Sequence, residues 1–343
     1  MRILITGISG RIGANLAKAL VDEGHAVRGL VWAKDARHAK FEGLPIELIE
    51  GNLVQAADVK KAVEGVEVIC HLGAAFQGGG PFTSEDYFEI NVRGTFNMLE
   101  AAKQHAPNLQ HFFFASTDAL YQKYVPGGMA SPIREDEMLP KPVGWYALSK
   151  ALGEEMCQGY YRSHRLPVTI FRFALAVAGD EILDFAQFRL RHWQEAYTHR
   201  TSGAAAETRQ ALLGFGDDGG RLLIARDENG RTHKKHIVDV RDIVIGFLAA
   251  LGKPEAFGET FQLAAPEPFT WEEAAPYLAS KLGVGYVDVR LMGNTPTYYE
   301  YDLSKGKRLI GYQPQWDIFK MIDSAIAFRS GKEKSVIPTH VAR

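Results

Sequence analysis

The chain has 343 residues and a formal net charge of −2, with apolar (46%) and charged (23%) fractions in the ordinary globular range. So balanced a charge leaves no global field to draw in nucleic acid or an anionic membrane surface, and the expected partner is a small molecule. Two cysteines, Cys70 and Cys157, are too few for a disulfide framework and too far apart in sequence for a paired metal motif, which fits a reducing compartment.

Met1 and Arg2 run straight into a short apolar strand without the longer stretch of a signal peptide, and no run is long enough to span a membrane; a cytoplasmic protein is expected. That first strand is Ile3 to Thr6. A helix follows from Arg11 to Glu23, with Ile12, Leu16, Leu20 and Val21 on one face and Gly24 as its stop. Strands are then expected at Ala26 to Val31, Ile46 to Ile49, Val66 to Leu72, His111 to Ala115 and Val168 to Phe173. Helices at Ala57 to Glu64, Asn91 to His105 and Trp145 to His164 lie between them. Such alternation is the signature of repeated βαβ units, hence of a doubly wound α/β domain on a parallel sheet. From about Ala178 to His236 it fails, and charged helical stretches and the Gly-rich segment Gly214 to Gly220 take over. The expected division is a first domain over residues 1–178, to which about 237–262 return. Residues 179–236 and 263–343 would form a smaller, irregular α/β domain that binds substrate over the ligand cleft.

Between the first strand and helix lies Thr6-Gly7-Ile8-Ser9-Gly10-Arg11-Ile12-Gly13, a G-x-x-G-x-x-G spacing. Gly7 permits a tight turn, Gly10 lets backbone N–H groups approach a pyrophosphate, and Gly13 allows close helix-to-strand packing, with the helix N-terminus facing the anion. Glycine trios are common, but one that follows a strand and opens an amphipathic helix is the context a Rossmann-type dinucleotide site requires. A carboxylate for the adenosine ribose is expected at the end of the second strand, where Val31 stands instead, followed by Trp32, Ala33, Lys34, Asp35, Ala36 and Arg37. Lys34 and Arg37 can meet a 2′-phosphate, which tilts the cofactor from NAD toward NADP; alternatively both are solvated charges and Asp35 or backbone groups hold the ribose of NAD.

Tyr146-Ala-Leu-Ser-Lys150 puts a phenol and an ammonium on one face of a predicted helix. The lysine charge is expected to favour phenolate, so that a group with a reference pKa of about 10 serves as acid or base nearer neutrality. Tyr301-Asp-Leu-Ser-Lys305 repeats the spacing. Only Tyr146 follows a strand that ends in the hydroxyls of Ser116 and Thr117, at the sheet edge where such folds bind ligands.

Together these segments resemble the extended short-chain dehydrogenase/reductase family, also called the NAD-dependent epimerase/dehydratase family. The likeness extends through Gly51-Asn52-Leu53, His71-Leu72-Gly73-Ala74-Ala75, Asn91-Val92-Arg93-Gly94-Thr95, Ser116 to Tyr121, Val238 to Asp242, and Asp302 to Pro314. It implies Thr117 as the catalytic hydroxyl, Tyr146 as acid/base and Lys150 as the ribose-bound lysine, and gives Tyr301 a structural place. It implies a dinucleotide site of Gly7, Ser9, Gly10, Arg11, Ile12, Gly13, Trp32, Lys34, Asn52, Leu53, Leu72, Gly73, Ala74, Ala75, Asn91, Ser116, Tyr146, Lys150 and Phe173. It also implies a homodimer joined through the Asn91 to His105 and Trp145 to His164 helices.

Departures from the family pattern narrow the reaction. Dehydratases of the family carry Thr-Asp-Glu where this chain has Thr117-Asp118-Ala119, so the base for water elimination is missing. Nucleotide-sugar enzymes carry asparagine three residues after the arginine here numbered Arg172; Leu175 in its place argues against a nucleotide-sugar substrate. Asn52, standing for an adenine-binding aspartate, still offers an acceptor. No histidine pair has a metal-ligand spacing, so no metal is expected, and His233 with His236 reads as surface or cleft lining. Arg189 to Arg200 reads as a solvated helix. The expected activity is NAD(P)-dependent hydride transfer at a secondary alcohol or ketone of a small polar molecule, sugar-like or a sugar acid. An epimerase with retained NAD and a non-catalytic NAD(P)-sensing protein are the alternatives.

Overall fold

The computed structural model describes residues 1–33, 35–76, 80–216 and 220–340. Short runs of β-branched and aromatic residues become strands covered on both faces. Through the first half these are β1 (Arg2–Thr6), β2 (Ala26–Val31), β3 (Ile46–Glu50), β4 (Val68–His71), β5 (His111–Thr117) and β6 (Val168–Phe173). Helices α1 (Arg11–Asp22), α2 (Ala56–Val63), a one-turn α3 (Ser84–Tyr87), α4 (Gly94–His105) and α5 (Gly144–His164) connect them. Then follow β7 (Leu175–Val177), α6 (Leu190–Tyr197), α7 (Gly203–Gly214), β8 (Leu222–Arg226), β9 (Lys234–Lys235), β10 (Ile237–Asp239), α8 (Val240–Ala250) and β11 (Thr260–Leu263). The chain continues with β12 (Phe269–Thr270), α9 (Trp271–Leu282), β13 (Tyr286–Arg290), α10 (Ser304–Leu309) and α11 (Ile318–Arg329).

Seven strands pair in the order β11-β6-β5-β4-β1-β2-β3, every pair parallel. From β1 the chain winds outward through β2 and β3, then returns to β4 on the other side of β1 and winds away through β5 and β6. The crevice above the C-terminal ends of β1 and β4 is therefore the topological switch point, where ligands of such sheets bind. Alternation along the strands sorts the core into two layers. Phe113, Ala115, Phe171 and Phe173 pack with Phe247 of α8 and with α1, whereas Phe112, Phe114, Val168 and Ile170 pack with Met98, Leu99 and Cys157 of α4 and α5.

Two boundaries differ from the sequence expectation in ways that matter for the site. β5 continues through Ser116 and Thr117, because both pair in register with β6 (Thr117 opposite Phe173). The helix expected to start at Asn91 is preceded by a π-helical turn, Phe88–Arg93, whose wider winding coincides with the Thr95 hydroxyl donating to the Asn91 carbonyl (2.6 Å).

A second core gathers Phe188, Leu190, Trp193 and Tyr197 against β8, β13, α9 and α11. Helix α6 is thus anchored by a buried apolar face, with Arg191 and Glu195 on its exposed side. Tyr299, Tyr301, Leu303, Ile310 and Tyr312 pack back into the layer that holds Phe113. His233 and His236 are core residues, contrary to the expectation of surface or cleft lining. The His233 ring lies between Trp193 and Trp271, and His236 bridges the Ala265 carbonyl and the Tyr301 amide.

Candidate functional site

The turn after β1 requires glycine at two places. Gly7 has φ +67°, and a Cβ there would come 2.8 Å from the Gly73 backbone; one on Gly13 would come 2.3 Å from the Gly7 carbonyl oxygen. With both side chains absent, the loop folds tightly against the end of β4 and leaves the first N–H groups of α1 facing the crevice. Gly7, Ser9, Gly10, Arg11, Ile12, Gly13, Trp32, Asn52, Leu53, Leu72, Gly73, Ala74, Ala75, Ser116, Thr117, Tyr146, Lys150 and Phe173 all line one cavity of about 1550 Å³. Lys34 lies outside the described residues.

A buried relay holds the floor. Thr95 donates to the Asn91 carbonyl, so it accepts from His71 Nε2–H (3.0 Å); His71 Nδ1 then accepts from the Thr6 hydroxyl (2.8 Å), which in turn accepts from the Gly73 amide (2.9 Å). Burial, with the Lys150 charge adding, pushes His71 down to about 3, so this relay stays neutral. Asn91 sits behind the cavity wall: its amide spans the Ala75 amide (2.7 Å) and carbonyl (2.9 Å) and donates to Ser149 Oγ (2.9 Å). Ser149 in turn donates to the Tyr146 carbonyl. One side chain thereby joins the Leu72–Ala75 loop to the helix that carries Tyr146 and Lys150.

Tyr146 and Lys150 come from the first turns of α5 and line the cavity with Thr117 at the end of β5. The Thr117 hydroxyl accepts from the Ala119 amide (3.1 Å) and lies beside the Tyr146 phenol. Burial pushes Tyr146 up to about 12, with Thr117 pulling the other way. Lys150 is pushed down to about 8 by burial. Burial is thus the largest influence on the phenol. Among the described residues Lys150 has no hydrogen-bond partner and lies over the Phe114 ring, while Ser116 Oγ is buried and unpartnered at the same wall. A dinucleotide's ribose hydroxyls fit these two groups.

Beyond the end of β2, Asp35 pairs with Arg37. Its carboxylate accepts from Ser9 Oγ (2.8 Å), Arg37 Nε (2.8 Å) and Arg37 Nη2 (2.7 Å). Burial alone would raise its pKa, but the Arg37 hydrogen bonds outweigh that and hold it down to about 2. Arg37 lines the cavity as half of an ion pair.

The substrate end contains residues that the sequence reading missed. Buried Arg172 grips Glu154 through two bonds (2.9 and 2.8 Å) and donates to the Tyr121 hydroxyl (2.7 Å), placing that ring on the wall. Lys123 pairs with Asp118, to which Tyr301 also donates (2.6 Å). Lys235, from β9, also lines the cavity; it is 4% exposed and its ammonium has only the neutral Gln187 amide oxygen (2.9 Å) as hydrogen-bond partner among the described residues. Thr339 and His340 close the opposite end. Isolated lysines and tail residues carry no periodicity or motif, so only the long-range fold reveals them.

The NAD dependent epimerase/dehydratase family model matches residues 3–264. The chain belongs to that family. A short-chain dehydrogenase/reductase superfamily protein of Agrobacterium tumefaciens, solved with bound NAD, is 32% identical, superposes with a TM-score of 0.80 and covers 97% of this chain and 98% of its own. The YtcB protein of Bacillus subtilis, described as an uncharacterised UDP-glucose epimerase, is 27% identical over 96% of this chain and 98% of its own length. A probable UDP-glucuronate 4-epimerase of Rhizobium meliloti is 35% identical over 50% of this chain and 52% of its own. Membership in the epimerase/dehydratase family makes the chain an enzyme of the short-chain dehydrogenase/reductase type, with the doubly wound α/β fold expected from its strand pattern. No described helix is long and apolar enough to cross a membrane.

Proposed function

We propose that this enzyme transfers hydride between NAD and the secondary alcohol or ketone of a small acidic, sugar-like molecule. The observation that carries the reading is the meeting of the Thr117 hydroxyl, the Tyr146 phenol and the unpartnered Lys150 ammonium in the cavity opened by the glycine loop. The dinucleotide supplies the hydride acceptor or donor. Thr117 holds the substrate oxygen by donating to it, and Tyr146 takes the alcohol proton during oxidation and returns it during reduction. Lys150 and Ser116 hold the ribose, and Lys150 adds positive charge near the phenol when cofactor and substrate are in place. Asn91 and Ser149 position the helix.

NAD is favoured over the NADP to which Lys34 and Arg37 pointed, because Asp35 already compensates the Arg37 charge, and the Agrobacterium neighbour holds NAD. An acid is favoured because Lys235 is a buried ammonium with no carboxylate in ion-pair contact among the described residues, a costly state that a substrate carboxylate relieves. Leu175, exposed at the cavity wall, gives a nucleotide diphosphate no hydrogen bond from its side chain. The free, buried thiols of Cys70 and Cys157 suit a reducing cytoplasm. Exposed Phe88 and Phe96 lie beside α5, whose Trp145, Leu148 and Leu152 form an exposed apolar row, supporting a homodimer through these helices; light scattering of the purified protein tests it.

Epimerisation with retained cofactor is the second reading, favoured by the C-terminal segment folded over the glycine loop and by the descriptions of the Bacillus and Rhizobium relatives. Absorbance of reduced nicotinamide during turnover on a panel of aldonic and uronic acids separates the two. Net NADH formation supports the oxidoreductase; epimer formation without it supports the epimerase.

A further inference from the structure

The chain ends far from its start in sequence, yet residues 336–340 are tied to the loop that opens α1. The Asn15 side chain pairs with Ile337 in both directions, donating to its carbonyl (2.9 Å) and accepting from its amide (2.8 Å). Lys40 Nζ donates at once to the Ser9 carbonyl (2.8 Å) and the Thr339 carbonyl (2.7 Å), so one ammonium clamps the glycine loop to the tail. Arg11 Nε donates to Thr339 Oγ1 (3.1 Å), and that hydroxyl donates to Glu181 (2.7 Å), which also pairs with Arg11 Nη2 (2.8 Å). Beneath these polar ties, Val336 packs against Ile12, Ala178 and Val240. Thr339 and His340 then line the same cavity as Gly10 and Trp32.

This amount of bonding is more than a surface tail needs. Here three side chains of the nucleotide-binding half, Arg11, Asn15 and Lys40, are committed to the tail, and Arg11 is thereby withheld from the anion its position in the loop would let it meet. Their common effect is to add a wall to the phosphate end of the cavity that the doubly wound sheet does not itself supply.

We propose that residues 336–340 form the outer wall of the dinucleotide site and set the rate at which the cofactor leaves. The inference rests on the reading that a nicotinamide dinucleotide occupies the glycine loop. A dinucleotide seated there lies between the loop and the tail, and its release requires the Lys40 clamp and the Asn15 to Ile337 pairing to open. The tail therefore governs whether the cofactor is exchanged or retained between turnovers.

The test is stopped-flow displacement of bound NADH from the full-length protein, comparing the parent with Lys40→Met/Thr339→Val and, separately, Ile337→Pro, which lacks the amide that bonds Asn15. Ile337 is only partly buried at the edge of the main core, and thermal denaturation checks that each variant is folded. NADH dissociation faster by on the order of tenfold, with association changed much less, is expected. Slower hydrogen exchange at 336–340 when NADH is added to the parent is expected too. Unchanged dissociation in both folded variants overturns the strap alone. A parent protein that binds neither NADH nor NADPH overturns the dinucleotide reading, and the strap with it.

Discussion

The Lys150 ammonium lies 4.2 Å from the centre of the Phe114 ring, and that same ring fills the space a side chain at Gly153 would need. A Cβ on Gly153 would come 2.4 Å from Phe114 Cζ. Glycine there lets α5 settle against β5, one turn from the lysine it delivers. Gly153→Ala gains about 1 kcal/mol of helix propensity, but overpacking a filled core costs about 1–3 kcal/mol. The net expectation is a lower melting temperature together with weaker NADH binding, as Phe114 and Lys150 shift. Thermal denaturation and a fluorescence titration check it; a variant with unchanged values in both would show that this contact has slack.

Asn91 is 2% exposed and satisfies three buried groups. Asn91→Leu leaves the Ala75 amide and carbonyl and the Ser149 hydroxyl short of a partner, each at about 1–3 kcal/mol if nothing replaces it. Stability should drop by a few kcal/mol in all, and kcat should fall as well, because α5 and the Leu72–Ala75 loop lose their shared anchor. Urea unfolding and steady-state rates measure the two effects.

Asp35 neutralises Arg37 at the ribose end of the site. Asp35→Asn frees that guanidinium to meet a 2′-phosphate, so the ratio of NADPH to NADH affinity should rise on the order of tenfold, equivalent to about 1.4 kcal/mol. Equilibrium titrations with both dinucleotides give the ratio. An unchanged ratio would mean that Arg37 does not reach the 2′ position.

Lys235 has its pKa pushed down to about 8, by burial first and by the Lys123 charge second. A substrate anion needs the protonated form. KM for an acidic substrate should therefore be flat below about pH 7 and rise above pH 8, where the free enzyme loses that proton. Lys150, held near the same value, titrates in this range too, so the informative comparison is with Lys235→Met. That variant should show a KM raised on the order of tenfold or more, as expected when a charged hydrogen-bond partner is lost, and no Lys235-dependent rise with pH. A KM unaffected by the substitution would remove the acid from the proposed substrate class.

Local pattern was enough where structure is local. The bounds of β2 and β6 follow from runs of apolar and β-branched residues, and the glycine loop from spacing and context. What precedes Tyr146 and Tyr301 in the chain distinguished them in the sequence, and Tyr146 lines the cavity while Tyr301 is buried against Asp118. Positions set by chain return were not readable. The buried His233 and His236, the Lys235 ammonium in the cavity wall and the docking of Thr339 onto the glycine loop each depend on partners tens to hundreds of residues away. The burial that raises Tyr146 and lowers Lys150 is likewise set by long-range packing and not by their spacing.

The central claim is that Tyr146 moves the proton that accompanies hydride transfer. Its most direct test is stopped-flow absorbance of reduced nicotinamide after NAD-loaded enzyme is mixed with aldonic and uronic acids, for the parent and for Tyr146→Phe. Rapid NADH formation is expected in the parent with at least one acid, and a rate lower by about 10²–10⁴ in the variant, with NAD affinity little changed. A variant that forms NADH as fast as the parent would contradict it.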